Sequence, residues 1–108
     1  MAFTWTIDIN PNQPTPPRVK FSPNPLPTPV VDGVKQTVLP GDEIIWRNND
    51  TVAHWPGLTS NQTAFIPNQI APGMSSDAFR PTAAGTVSYI CTLPGHENEK
   101  GTIVVSAS

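Results

Sequence analysis

The sequence predicts an all-β fold: one antiparallel β-sandwich of seven or eight short strands. Three observations carry this. The opening segment Phe3-Thr4-Trp5-Thr6-Ile7-Asp8-Ile9 alternates strictly, with Phe3, Trp5, Ile7 and Ile9 on one face, as a half-buried strand does. Turn signals then recur along the chain at the spacing usual for a sandwich. No stretch combines the length and the period of a long amphipathic helix, and there is no internal repeat.

The elements follow in order. Eight prolines fall among the nineteen residues from Pro11 to Pro29. Proline donates nothing to a sheet ladder, so the Pro-rich connection at about 11–35 is expected as an ordered surface loop, with short edge pairing near Val19-Lys20-Phe21. Val19, Phe21, Leu26, Val30 and Val31 are its apolar anchors. Asp32-Gly33 signals a turn. Gln36 to Leu39 reads as a strand, Pro40-Gly41-Asp42 as a tight turn, and Glu43 to Asn48 as the next strand. Asn48-Asn49-Asp50-Thr51 supplies loop chemistry through side chains that bond their own backbone. Thr63 to Ile66 is expected as a short strand. Ala71-Pro72-Gly73 turns into Ser75 to Phe79, and Ala84-Gly85 turns into Thr86 to Cys91. Gly101 to Val105 closes the chain. Single helical turns are expected only near Asn61 or Asn98.

Composition narrows the function classes. A chain of 108 residues holds one domain, 1–108, with one modest core. Cys91 is the only cysteine, so no internal disulfide forms. A net charge of -2, with 13% charged residues and no basic run, argues against nucleic acid as a partner. Asn, Thr and Ser supply uncharged polar surface instead. No stretch approaches the roughly 20 apolar residues that cross a bilayer. The chain starts without a basic-then-apolar leader. A leader already removed, with Met1 added afterwards, is the expectation.

One Cys and two His are the informative set. Cys91 ends an apolar strand, and His96 follows across Thr92-Leu93-Pro94-Gly95. His54 lies upstream, just after the Asn48 to Thr51 loop. A strand-end thiolate and an imidazole on the adjoining tight loop converge on one ion if a second imidazole joins from a neighbouring loop. Two imidazoles and a thiolate in a trigonal plane with a weak axial position form the ligand set of an electron-transfer copper site. Other readings of the same residues stay open. A lone Cys is commonly an inert apolar filler, a loop His is commonly surface, zinc takes two His and a Cys, and Cys with His is a nucleophile and base pair.

Longer motifs carry a family resemblance. Tyr89-Ile90-Cys91-Thr92-Leu93-Pro94-Gly95-His96, followed by Lys100-Gly101-Thr102, resembles the C-terminal ligand loop of azurin. Leu39 to Asp50, ending at His54, resembles the matching element of plastocyanin-type domains. Ile70-Ala71-Pro72-Gly73-Met74-Ser75 resembles the hairpin before the Cys strand. From Phe21 to Val105, with extra residues around Pro23 to Lys35, the chain is similar to the cupredoxins, plastocyanin- and azurin-like type 1 copper proteins. That resemblance implies a Greek-key sandwich of two sheets. It also implies one copper ion near one end, held by His54, Cys91 and His96 and cycling between Cu(I) and Cu(II).

The pattern breaks at the axial ligand. Cupredoxins usually carry a methionine shortly after the second His, but here Glu97-Asn98-Glu99-Lys100-Gly101 has none. Aligning Lys100-Gly101 puts Glu99 at the methionine position and shortens the loop by one residue. Met74 belongs to the distant hairpin. Glu99 is therefore the expected fourth metal ligand. An open position, a water or the Ala53 carbonyl comes second, and Glu97 or Asn98 third, beside the plain reading of Glu99 as solvated surface. A carboxylate is harder than a thioether, so Glu99 as ligand lowers the reduction potential and shifts the colour from blue toward green or red.

Trp55, Pro56, Leu58, Leu93 and Pro94 flank the ligands with almost no charge. The expected partners are redox proteins that dock transiently near Trp55 and Leu93. Asn48, Asp50 and Thr51 are expected to tie the His54 loop to the Cys loop, with Thr92 contributing. The leading function is a soluble, monomeric one-electron carrier of the periplasm or cell exterior, not an enzyme. The alternative is a redox enzyme acting on nitric oxide or peroxide at an open or carboxylate-ligated copper, and a copper carrier ranks last.

Overall fold

Period-two alternation sets which side chains each long strand buries. In β1 (Thr4–Asn10) these are Ile7 and Ile9; in β5 (Glu43–Asn48) they are Ile44, Trp46 and Asn48. In β7 (Gly85–Cys91) they are Tyr89 and Cys91, and in β8 (Lys100–Val105) Gly101, Ile103 and Val105. The shorter strands are β2 (Lys20–Ser22), β3 (Val30–Val31), β4 (Val34–Lys35) and β6 (Pro56–Gly57). The computed structural model describes residues 3–14, 18–27, 30–31, 33–35, 37–96 and 98–107. It contains no helix among them; near Asn61 and Asn98 the chain makes single turns, in which the Ala64 amide donates to the Asn61 carbonyl at 3.2 Å and the Glu99 amide to the His96 carbonyl at 3.0 Å.

Two three-stranded sheets, β2-β1-β5 and β6-β7-β8, share one core, and β3 and β4 form a separate two-stranded ribbon. Ile7, Ile9, Phe21, Ile44 and Trp46 from the first sheet meet Tyr89, Cys91, Ile103 and Val105 from the second. Aromatic rings knit the layers: Tyr89 stands edge-on to Phe21 at 4.9 Å and to Trp46 at 5.6 Å between centroids. Across the β7–β8 ladder Tyr89 faces Gly101, where any Cβ would collide with the phenol ring. Glycine at 101 thus makes room for the Tyr89 ring that bridges the two sheets.

The sandwich is as expected, but one strand pair is parallel, as are the isolated bridges Leu26–Ile103 and Val38–Val105. β1 runs parallel to β5, from Thr4 beside Glu43 to Ile9 beside Asn48. Parallel neighbours need a long crossover, and the Pro-rich connection supplies it. On the way it lays β2 antiparallel on β1 and bridges Leu26 to Ile103 beside β8. Leu26 is buried, as its role of anchor requires. Val38 bridges Val105 in the same way, while Gln36, the start of the strand expected there, lies outside the described residues, as does Asp32.

Two other expected strands are reduced. Thr63 to Ile66 is bend and turn, because the Asn61 side chain accepts from both Thr63 N and Thr63 Oγ1, at 3.2 and 3.1 Å. Phe65 and Ile66 pack on the core without joining a ladder. Ser75 to Phe79 lies along β5 through isolated bridges only. There the Trp46 amide donates to the Ser76 hydroxyl at 3.0 Å instead of to a carbonyl, which interrupts the ladder.

Candidate metal centre

The site forms where β7 ends and β8 begins. Cys91 is the last residue of β7 and faces inward, fully buried. Pro56 of β6 pairs with Cys91, which brings His54, two residues earlier, beside the thiol. His54 is pinned in turn by a two-way bridge to Ile70: its amide donates to the Ile70 carbonyl at 3.2 Å, and the Ile70 amide to its carbonyl at 2.7 Å.

The 91–99 loop folds back on itself. The His96 amide donates to the Leu93 carbonyl at 3.1 Å, with Gly95 left-handed at φ 83 in the turn. The Glu99 amide donates to the His96 carbonyl at 3.0 Å, and the Cys91 amide to the Glu99 carbonyl at 2.9 Å. Glu99 therefore sits across the loop neck from Cys91, although the loop is one residue short.

Four donor atoms converge as a result. One ligand atom each from His54, Cys91, His96 and Glu99 lies within 4.8 Å of every other. His54 Nδ1 is 3.7 Å from Cys91 Sγ and 2.9 Å from Glu99 Oε1. His96 Nδ1 is 3.2 Å from both Glu99 oxygens. His54 and Cys91 have no exposure and Glu99 has 9%, whereas the His96 side chain is 25% exposed. Two imidazole nitrogens, a thiol and a carboxylate at this spacing fit a small transition-metal ion.

Around the donors, Asp50 Oδ2 lies 2.8 Å from His54 Nε2. Burial opposes a charge on His54, but hydrogen bonds with Cys91, Glu99 and Asp50 outweigh it and push the ring up to about 10. Burial likewise opposes the Asp50 carboxylate, but hydrogen bonds from His54 and the Thr51 amide hold it below the usual carboxylate range. Cys91 Sγ accepts the Trp55 amide at 3.4 Å. The Trp55 carbonyl accepts from the Thr92 amide at 2.8 Å and the Thr92 hydroxyl at 2.9 Å.

This last pair is the tie between the two ligand loops, so Thr92 acts as the sequence suggested. Asn48, Asp50 and Thr51 do not reach across. The inward Asn48 amide donates to Val52 O at 2.8 Å and Ile70 O at 3.0 Å, and so braces the His54 loop itself. The direct contact of Asp50 with His54 escaped the sequence reading, its only signal being a carboxylate four residues before a ligand candidate. The Trp55 amide left no signal, because a backbone donor is common to every residue but proline.

Trp55 and Leu93 are both half-buried and packed on the core, and the Trp55 indole donates to Ile66 O at 3.3 Å. Met74 is 58% exposed in its hairpin. Asn98 is exposed and lines a surface groove with Lys20 and Asn24. Glu97 and Met1 lie outside the described residues.

No protein-family model matches the sequence, and comparison with curated proteins finds no relative. Solved structures do match. Amicyanin from Paracoccus versutus (Thiobacillus versutus) is similar at TM-score 0.64 and 20% identity, over 98% of this chain and 84% of that one. A reduced Cu(I) form of an amicyanin mutant at pH 4 is similar at TM-score 0.63 and 21% identity, over 95% and 82% of the two chains. An oxidized methionine-to-leucine mutant of amicyanin gives TM-score 0.64 and 22% identity, over 94% and 81%. With about one residue in five identical, these likenesses establish architecture: the chain has the cupredoxin fold, that of amicyanin.

Proposed function

We propose that this chain is a mononuclear copper protein working as a one-electron carrier, with His54, Cys91, His96 and Glu99 as its metal ligands. The observation that carries the reading is the convergence of those four donors within 4.8 Å on a sandwich of the amicyanin fold. Structures of amicyanin include reduced Cu(I) and oxidized forms. Copper bound here supplies cycling between Cu(I) and Cu(II).

The chain's own residues do the rest. Cys91 and His54, fully buried, provide the donors least accessible to water, and the Trp55 amide stabilises the thiolate. Glu99 takes the place of the missing methionine as an anionic oxygen donor, a choice that favours the oxidized ion. His96 is the most exposed of the four and offers an edge for exchange with a partner. Transient docking of a redox protein near Leu93 and Trp55 belongs to this proposal, as do a monomeric state and a periplasmic or extracellular location. The alternative, a redox enzyme at an open or carboxylate-ligated copper, has nothing in its favour among the amicyanin structures that match.

The test is Cu(II) loading followed by visible spectroscopy. The wild-type protein is expected to bind one equivalent and to show intense thiolate-to-Cu(II) charge transfer. Cys91→Ser should lose that band. Strong colour persisting in Cys91→Ser, or no band in the wild type, would overturn the assignment.

A further inference from the structure

We infer that Asp50 is a positioning residue of this metal centre: its carboxylate fixes the His54 ring with Nδ1 toward the other donors and makes that ring a stronger ligand. The inference rests on the metal-centre reading above and deepens it, because it assigns a second carboxylate to the control of the same site.

The geometry is built for this role. Asp50 Oδ2 stands 2.8 Å from His54 Nε2, while Oδ1 accepts the Thr51 amide at 2.7 Å, so both oxygens are committed. The Asp50 amide donates to Asn48 Oδ1 at 2.9 Å. Asn48 is fully buried and braces Val52 and Ile70 in turn. The carboxylate is thus held at both oxygens on a backbone anchored to the buried Asn48, and turning it away would break its bonds to both His54 and the Thr51 amide. Its side chain is only 12% exposed and the His54 ring not at all, so water competes weakly for the contact. A charge-assisted hydrogen bond in such surroundings is about twice as strong as a neutral one.

With Asp50 accepting at Nε2, the proton of the neutral ring belongs there and Nδ1 keeps its lone pair for the metal. A carboxylate on the far nitrogen also raises ligand basicity, and loss of such a partner typically costs about 10- to 100-fold in metal affinity. A more basic imidazole favours the more highly charged ion. Asp50 and Glu99 therefore pull in the same direction, Glu99 as a donor and Asp50 through the ring.

Two variants separate orientation from charge. Asp50→Asn keeps a neutral acceptor for Nε2–H; Asp50→Ala removes it. In the Zn(II)-loaded full chain, NMR should show a slowly exchanging His54 Nε2–H in the wild type and Asp50→Asn but not in Asp50→Ala. Zn(II) affinity should fall about 10- to 100-fold in Asp50→Ala and less in Asp50→Asn. In the copper-loaded protein the reduction potential should rise in both variants, by about 59 mV for each tenfold loss of Cu(II) over Cu(I) preference. Unchanged affinity and potential in both variants, or a wild-type Zn(II) form with the His54 proton on Nδ1, would overturn the inference. If the wild type shows no thiolate-to-Cu(II) band, the copper reading fails alone, and the Zn(II) and NMR measurements still decide the role of Asp50. If Asp50→Ala does not fold, the Asp50→Asn potential and affinity decide it.

Discussion

If Glu99 is the metal ligand proposed above, Glu99→Gln replaces an anionic oxygen donor by a neutral one of the same size, and the effect on the reduction potential of the copper-loaded protein should be large enough to measure. The Glu99 oxygen belongs to a cluster 4.8 Å across, so the charge removed acts on the metal at close range. One unit charge about 4 Å from another contributes about 1 kcal/mol in bulk water and about 4 kcal/mol at an effective dielectric constant near 20. His54 and Cys91 have no exposure and Glu99 only 9%, which places the site toward the second figure. At about 1.4 kcal/mol and 59 mV per tenfold for a one-electron couple, the rise is roughly 40 to 170 mV. Glu99→Met should raise the potential further and shift the absorption toward blue, because a neutral thioether favours Cu(I). Voltammetry and visible spectra of the copper-loaded wild type and both variants make the measurement, with circular dichroism to confirm folding. A change below the roughly 40 mV that bulk-water screening leaves, with unaltered spectra in both variants, would refute Glu99 as a donor. It would then be only a hydrogen-bond partner of the two imidazoles.

Gly101→Ala should destabilise the fold by about 1–3 kcal/mol or more, since the new methyl meets a Tyr89 ring already fixed against Phe21, Trp46 and Phe65. Urea unfolding measures it, and an unchanged midpoint would count against this account of the β7–β8 pair. Asp42→Ala should cost about 2–3 kcal/mol, because the buried carboxylate accepts from the Leu39 amide, the Trp5 indole and the Phe3 amide at 3.0, 3.1 and 3.1 Å. Those bonds, led by Leu39 and Trp5, hold its carboxyl below 3.8 against the opposing effect of burial. Its contribution is therefore complete above that value and lost as pH falls through the lower folded value. Thermal melts from about pH 5 to about pH 2 should show a steeper acid loss in the wild type than in Asp42→Ala, and parallel curves would refute the assignment.

The long strands were legible because alternation reports burial directly. Ile7 and Ile9, Tyr89 and Cys91, and Ile103 and Val105 all face inward as their spacing implies. The same signal misjudged Phe3, which alternates in phase with Ile7 but is 58% exposed, since periodicity names a face and not how far the core extends under it. Neighbour choice was hidden for the same reason. Nothing in Thr4 to Asn10 says that β5 lies beside it in parallel, because that pairing depends on where the crossover returns. Thr63 to Ile66 has the apolar content of a strand, yet the Asn61 side chain takes the Thr63 amide and hydroxyl that a ladder would compete for. At the site, Cys91 and His96 stood out because one tight loop joins them. His54 and Glu99 come together only through the β6–β7 pairing and the turns that follow Leu93.

The exposure of the four donors bears on how such a centre exchanges electrons. A carrier works best when its ligands keep one arrangement in both charge states, and all four are held by backbone as well as side chain. Cys91 ends a ladder and donates its amide to Glu99, while His54 is bridged to Ile70 and braced at its ring by Asp50. Glu99 is closed on both Cys91 and His96. His96 alone presents a quarter of its side chain to solvent, in a turn flanked by Leu93 and Pro94. Trp55, by contrast, is committed inward: its amide meets the Cys91 sulfur, its carbonyl holds Thr92, and its indole donates to Ile66 O. With copper held as proposed, an electron entering beside His96 would cross one imidazole and disturb none of those bonds. Entry through the Trp55 indole would call on a ring whose polar end is turned toward the protein. Within the proposed function, a redox partner docking near Leu93 and Trp55 would therefore exchange its electron through the His96 edge, while the Trp55 amide supports the thiolate from behind.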